Sequence, residues 1–185
     1  MPDGTVYIAS ALVATAGSII GLTLFAKSAF DSRSTRTLSE MAATSPGRML
    51  AFRAILLPCS ALFLITLVWY VAPISRTPAL VIVPALAMCL SEMVLAIIPA
   101  KGGWEGTTHN SLAYVMGASM YALVTLFWIS SQGGLRLTEG TIAVLMTLLF
   151  FGTTLDRRRF VFYELPYIYL SHISIVAVAL AAARF

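Results

Sequence analysis

Residues 79–99 read ALVIVPALAMCLSEMVLAIIP, a run of 21 residues in which Glu92 is the single charged side chain. A helix of this length is about 31 Å long, which matches the hydrocarbon thickness of a bilayer. Because backbone groups in hydrocarbon have no water to bond, a segment that crosses it must satisfy them internally as a helix. The run therefore predicts a transmembrane helix.

Five further apolar runs of spanning length surround this one, at about 6–26, 50–72, 110–130, 138–155 and 165–183. Of the 185 residues, 59% are hydrophobic and 11% are charged, against about 25% charged in soluble domains. This composition excludes a soluble enzyme, a disordered tail and a nucleic-acid-binding protein. We expect an all-α, polytopic bundle of six transmembrane helices with short loops, forming one integral membrane domain over residues 1–185.

Basic residues are distributed unequally between the two sides of this bundle. Of the 12 Lys and Arg residues, three belong to one side: Arg76, Arg136 and Arg184. The other nine belong to the first, third and fifth loops and the adjoining span ends. The positive-inside rule then predicts that both termini are non-cytoplasmic, in a protein of the cell membrane. No basic residue precedes the first apolar run, so we expect a true span there and not a cleaved signal peptide.

Capping residues predict where several spans begin. Ser45 precedes a proline and is a good N-cap for the second span. We expect Thr107 or Thr108 to cap the fourth span, and Thr138, which is followed by Glu139, to cap the fifth.

The first span carries a row of small residues that includes a GxxxG motif. Small residues on one helix face let two helix backbones approach closely in lipid. The row serves either packing within the chain's own bundle or contact with a second copy or a partner membrane subunit. Its members are Ser10, Ala14, Gly17, Ser18 and Gly21.

Ionisable residues inside spans are functional candidates because charge is costly in hydrocarbon. Glu92 lies about seven residues from the end of the third span, and His172 lies about seven residues into the sixth. Both would then lie roughly 10 Å deep, measured from the same face. We expect these two buried polar residues to form a hydrogen-bonded pair, which is either a proton-relay or ligand site or a structural clasp.

A second group of polar residues gathers at one membrane boundary. Such a cluster either binds a lipid headgroup or a metal, or forms ordinary interfacial salt bridges. The members are Ser39, Glu40, Glu105, His109, Asn110, Asp156, Arg157 and Glu164.

Three cofactor types find little support in the sequence. Retinal needs a lysine deep in a helix, but Lys27 and Lys101 lie at span ends. Haem held by two histidines needs both at one depth, whereas His109 is expected at the boundary and His172 deeper. P-loop, HExxH and GxSxG motifs are absent. We expect no cofactor and no metal.

The first loop reads TLSEMAATSP over residues 37–46. This loop, the six predicted spans and a histidine at the start of the fourth span occur in one order along the chain. In this order of features the chain resembles the DRAM/Sfk-like membrane proteins and their uncharacterised bacterial relatives. The positions that match the family's signature are Ser39, Glu40 and His109. The resemblance implies a non-enzymatic, multi-pass protein of membrane or lipid homeostasis. It also implies a first loop outside the cytosol, opposite to the charge count.

These observations leave three functions open. The first is a non-enzymatic protein that interacts with membrane lipids or acts as the accessory subunit of a membrane complex. The second is a small transporter or channel whose pathway passes Glu92 and His172. The third is an intramembrane lipid-modifying enzyme that uses His109, Asp156 and Glu164. None of the three involves nucleic acid.

Overall fold

Seven helices run through the chain in the computed structural model, which describes residues 4–29, 37–75, 77–100, 103–155 and 160–182. Six of them are long and apolar enough to cross a membrane, and the predicted all-α architecture with six spans is confirmed. The seventh, α2, is a helix of five residues in the first loop. The helices are α1 Gly4–Ala29, α2 Leu38–Ala42, α3 Pro46–Ile74, α4 Pro78–Ile97, α5 Trp104–Ser130, α6 Gly133–Leu155 and α7 Phe160–Ala182.

The six long helices pack in a closed ring, each against the next in chain order, and α7 returns to contact α1. Tyrosine hydroxyls help to close the ring. The hydroxyl of Tyr169 lies 2.8 Å from the hydroxyl of Thr23 on α1, and Tyr167 donates to the carbonyl of Gly117 on α5 at 2.8 Å. Because consecutive spans alternate in direction, α3, α5 and α7 end on the side where α1 begins. We call this the N-terminal side, and the opposite one the α2 side.

The helix starts confirm one of the expected caps and correct two. The Ser45 hydroxyl accepts from the Arg48 amide at 3.3 Å, so Ser45 caps α3 as predicted. In contrast, α5 begins at Trp104 and α6 at Gly133. The predicted caps Thr107, Thr108 and Thr138 therefore lie inside helices. Thr107 and Thr138 donate to carbonyls four residues earlier, the usual bond of a hydroxyl within a helix.

Near its C-terminal end α3 contains one π-helical turn, Leu67–Val71. Pro73 follows this turn, and a proline ring clashes with the carbonyl four residues before it. In the wider turn the Ala72 amide bonds to the carbonyl of Leu67, five residues back. This local widening lets α3 continue to Ile74 past a residue that normally breaks a helix.

The small-residue row of α1 faces α3 of the same chain. Ala14 and Ser18 are fully buried. A Cβ atom added to Gly21 would lie 2.9 Å from Ile55 Cγ2, and one added to Gly17 would lie 3.4 Å from Cys59 Sγ. Ala14, Ser18 and Gly21 therefore pack within the bundle, whereas Gly17 is exposed, and contact of the row with a second copy or a partner subunit stays a prediction. Ser10 lies at the half-buried start of the row and donates to the carbonyl of Val6.

Candidate functional site

The candidate site lies inside the ring and begins with Glu92 on α4. The buried residues of α4 recur every three or four positions, as in a helix that turns one face to a core, and Glu92 takes one of these positions with 1% of its surface exposed. Its carboxyl group interacts with the Ser60 hydroxyl of α3. The Ser60 hydroxyl donates its one proton to the carbonyl of Leu56 at 2.8 Å.

His172 lies in the buried face of α7, with none of its surface exposed. Its ring packs against Phe63 of α3, with the ring centroids 4.3 Å apart. Its backbone carbonyl accepts from the Thr15 hydroxyl of α1 at 3.3 Å. Both imidazole nitrogens lack a hydrogen-bond partner among the described residues. The contacts with α1 and α3 thus hold the ring in place, while both of its nitrogens remain without a hydrogen-bond partner in the described part of the chain.

Glu92 and His172 are both buried, as predicted, but they are not hydrogen-bonded to each other, since neither imidazole nitrogen has a partner. Their depths also differ from the expectation. Because α7 begins at Phe160, five residues earlier than predicted, His172 lies twelve residues into its helix. On α3 the residue beside Glu92 is Ser60 and the residue beside His172 is Phe63. The two levels are therefore about 4.5 Å apart, roughly one helical turn.

Glu139 on α6 is a third buried ionisable residue, and the sequence reasoning missed it. In the sequence it stands beside Thr138, the expected cap of the fifth span. Since α6 begins at Gly133, Glu139 lies in its second turn, fully buried. Ser174 of α7 donates to its Oε2 atom, and its Oε1 atom has no partner among the described residues. The signal that could have identified it is its helical spacing with Ile142 and Met146, which are also buried.

The predicted boundary cluster divides into separate contacts. Glu164 of α7 accepts from the Leu38 amide at 3.0 Å and so caps the short helix α2 from a distant part of the chain. Within that segment, Thr37 and Glu40 form the predicted capping box, and the Ser39 hydroxyl lies 3.0 Å from that of Thr37.

The second contact lies at the end of α4. The Nδ1 atom of His109 is 2.9 Å from the carbonyl oxygen of Ile98. The Arg53 guanidinium donates to the carbonyls of Ala96 and Ile97, each at 2.9 Å. These groups satisfy carbonyls that a helix end leaves without partners. Arg53 is one of the nine basic residues that count toward the predicted orientation, and its role as a cap was not predicted from the sequence.

The remaining members of the boundary cluster do not join a common site. Glu105 is half-buried in the first turn of α5 and Asn110 is exposed in the second. Asp156 and Arg157 lie outside the described residues. Within the described ranges, no three His, Cys, Asp or Glu side chains are arranged to hold a metal ion.

An open groove of about 590 Å³ lies along α6 beside α5, which contributes Trp128 to its lining. Its walls are mostly apolar, and Arg136 provides the single charged side chain. A Cβ atom on Gly140 would lie 2.8 Å from the Trp128 indole nitrogen, so the glycine allows the indole to approach α6 closely. The groove is lined by Trp128, Gly133, Arg136, Leu137, Gly140, Thr141, Val144 and Leu145.

The chain matches no protein-family model, no curated protein and no solved structure. Its candidate function therefore depends on the site geometry described above.

Proposed function

We propose that this chain is a non-enzymatic, multi-pass membrane protein that binds a membrane phospholipid in the groove along α6 beside α5. The observation that carries this proposal is the combination of apolar groove walls with one cation near the helix end. A phospholipid has the complementary pattern of apolar chains and an anionic phosphate. The guanidinium of Arg136 suits that phosphate because it donates two parallel hydrogen bonds.

The dimensions of the groove suit a lipid in one leaflet. Its lining runs along α6 from Gly133 to Leu145, about 18 Å of helix, and one leaflet contributes about 15 Å of hydrocarbon. Leu137 and Val144 leave 74% and 57% of their surfaces exposed beside it. The resemblance of residues 37–46 to DRAM/Sfk-like proteins implies a role in lipid homeostasis and favours the same function.

Native mass spectrometry of protein extracted gently from its own membrane tests the proposal. We expect one retained phospholipid per chain in the wild type. Arg136→Gln should lower retention about tenfold, the effect of losing one charged hydrogen bond. Arg48→Gln, the same substitution on the α2 side, serves as the matched control and should retain the lipid. A wild-type chain without lipid, or equal retention in Arg136→Gln, would refute the proposal.

A second candidate function, transport past Glu92 and His172, is favoured by a different observation. Glu92 Oε2 and both His172 nitrogens are buried without partners in the described part of the chain. Buried polar atoms are almost always hydrogen-bonded, and ionisable groups within spans commonly line ion or proton pathways. We expect a pH-dependent flux in vesicles that disappears with Glu92→Gln. Unchanged flux in that variant would count against this function.

A further inference from the structure

Glu139 gives the bundle interior a third ionisable group, after Glu92 and His172. Each of the three side chains is at least 99% buried, and each has a polar atom without a partner among the described residues. Boundary residues can bond to bulk water, whereas these three side chains are buried away from it. An ionised carboxylate alone in hydrocarbon is costly. Each of these three groups can avoid a lasting charge, because it can take up or release a proton.

The contacts with α3 order the first two groups across the membrane. Glu92 lies beside Ser60, and His172 packs on Phe63. Because α3 runs from the α2 side toward the N-terminal side, His172 lies about 4.5 Å farther toward the N-terminal side than Glu92. Cys59 and Cys89 are the other titratable groups near Glu92, and both thiols are buried.

Helix α7 orders the third group. Ser174, the partner of Glu139, follows His172 by two residues, or about 3 Å along the helix. Counted from the helix ends, Glu92 lies five residues before Ile97 on the α2 side, and Glu139 six residues after Gly133 on the N-terminal side. These distances are about 7.5 and 9 Å. The three groups therefore lie at successive levels between the two faces of the membrane.

We propose that Glu92, His172 and Glu139, in this order, form a proton pathway across the bundle, and that the cargo of the transport function is the proton. This inference rests on the second candidate function and is independent of lipid binding. Carboxyl and imidazole groups are the side chains that most commonly transfer protons in proteins. The pathway requires bridging water between these groups, and the unpartnered atoms together with the Ser18 hydroxyl are the polar contacts that such water would use.

One transfer moves a single proton and leaves every group as it began. Glu92, as the acid, gives its proton to one imidazole nitrogen of His172, and the ring becomes an imidazolium. The His172 and Ser174 side chains lie about 200° apart around α7, so the other ring nitrogen then passes its proton through bridging water to the Glu139 carboxylate, which has released its own proton to the N-terminal side. Glu92 takes a new proton from the α2 side, and tautomer exchange of the ring resets the pathway. Only O–H and N–H bonds form and break.

Proton flux into vesicles tests the pathway. The full chain is reconstituted in liposomes that hold a pH-sensitive dye, and a potassium diffusion potential set with valinomycin drives protons inward. We expect wild-type flux well above that of protein-free vesicles. Glu139→Gln keeps an oxygen to accept from Ser174 but cannot exchange a proton, so it should lower the flux about 100-fold or more.

Glu105→Gln makes the same change at the membrane boundary and should conduct like the wild type. Wild-type protein treated with a lipid-soluble carbodiimide gives a measurement that needs no folded variant. Such reagents couple to protonated carboxyl groups in apolar surroundings, so mass spectrometry should find Glu92 and Glu139 modified and Glu105 unmodified, with the flux blocked.

Two results would overturn the inference in distinguishable ways. Wild-type flux equal to that of protein-free vesicles would refute proton transport altogether. Wild-type proton flux that persists in Glu139→Gln, or after carbodiimide modification of Glu139, would remove Glu139 from the route and refute the three-residue pathway, although the protein would still transport protons. Lipid retention measured on the same preparations reports separately on the groove.

Discussion

Substituting Gly21 by alanine probes the closest approach between α1 and α3. The new Cβ atom would lie 2.9 Å from Cγ2 and 3.0 Å from Cγ1 of Ile55. Both atoms branch from the same carbon, and a β-branched side chain in a helix has essentially one rotamer. Rotation of Ile55 cannot move both atoms away, so the two helices must separate.

The magnitude follows from two opposing terms. Overpacking a well-packed interface costs about 1–3 kcal/mol, while replacing glycine by alanine inside a helix gains about 1 kcal/mol. Gly117→Ala on α5 is the matched control, because a Cβ atom there meets nothing within 4 Å. Both variants share the propensity gain. We therefore expect Gly21→Ala to be less stable than Gly117→Ala by about 1–3 kcal/mol.

Reversible unfolding in mixed micelles with increasing SDS, followed by circular dichroism, measures these free energies of unfolding. A double-mutant cycle sharpens the result, since Ile55→Ala removes all three atoms that the new methyl group would contact. Gly21→Ala should cost less in the Ile55→Ala background than in the wild type, with a coupling free energy of about 1–3 kcal/mol. Equal stability of Gly21→Ala and Gly117→Ala, or a coupling near zero, would refute the close contact.

Two further substitutions test contacts at the α2 side. Glu164→Ala removes the acceptor of the Leu38 amide, and loss of such a cap costs about 1 kcal/mol. Hydrogen exchange of the α2 amides should therefore become about fivefold faster. Glu164→Gln keeps an acceptor and should change the exchange rate less. If exchange in α2 is the same in Glu164→Ala and the wild type, the tether is absent. Arg53→Met removes both donors to Ala96 and Ile97 and should lower the free energy of unfolding by about 1.5–3 kcal/mol. Arg53→Lys keeps the charge without the planar guanidinium, so its free energy of unfolding should lie between those of the wild type and Arg53→Met. A wild-type free energy of unfolding in Arg53→Met would contradict the role of Arg53 as a cap.

Much of the fold could be predicted from the sequence because each span is a local property. The segment that contains Glu92 must be long and apolar enough to cross the hydrocarbon layer, and this requirement does not depend on the rest of the chain. The cap at Ser45 and the capping box at Thr37 were local in the same sense, each needing only a few neighbouring residues. The caps expected at Thr107 and Thr138 were wrong because the apolar runs begin inside helices that extend beyond them.

The candidate site was predicted in part. Burial of Glu92 and His172 followed from their position within apolar runs, and the structure confirms it. Their direct hydrogen bond did not follow, because depth counted from a span boundary has an error of a turn or more when the boundary itself is uncertain. Glu139 was missed because it lies near a span end, where a carboxylate usually reaches water.

The sequence by itself determined which segments cross the membrane, that small residues on α1 pack closely, and that ionisable groups lie within spans. Only the tertiary structure decided which groups meet: Glu139 with Ser174, Glu164 with the α2 amide, and Gly21 with Ile55. The reason is physical. Hydropathy depends on residues within one helix, whereas a contact depends on the rotation and height of two helices, which are fixed by packing between residues as distant as Thr15 and His172.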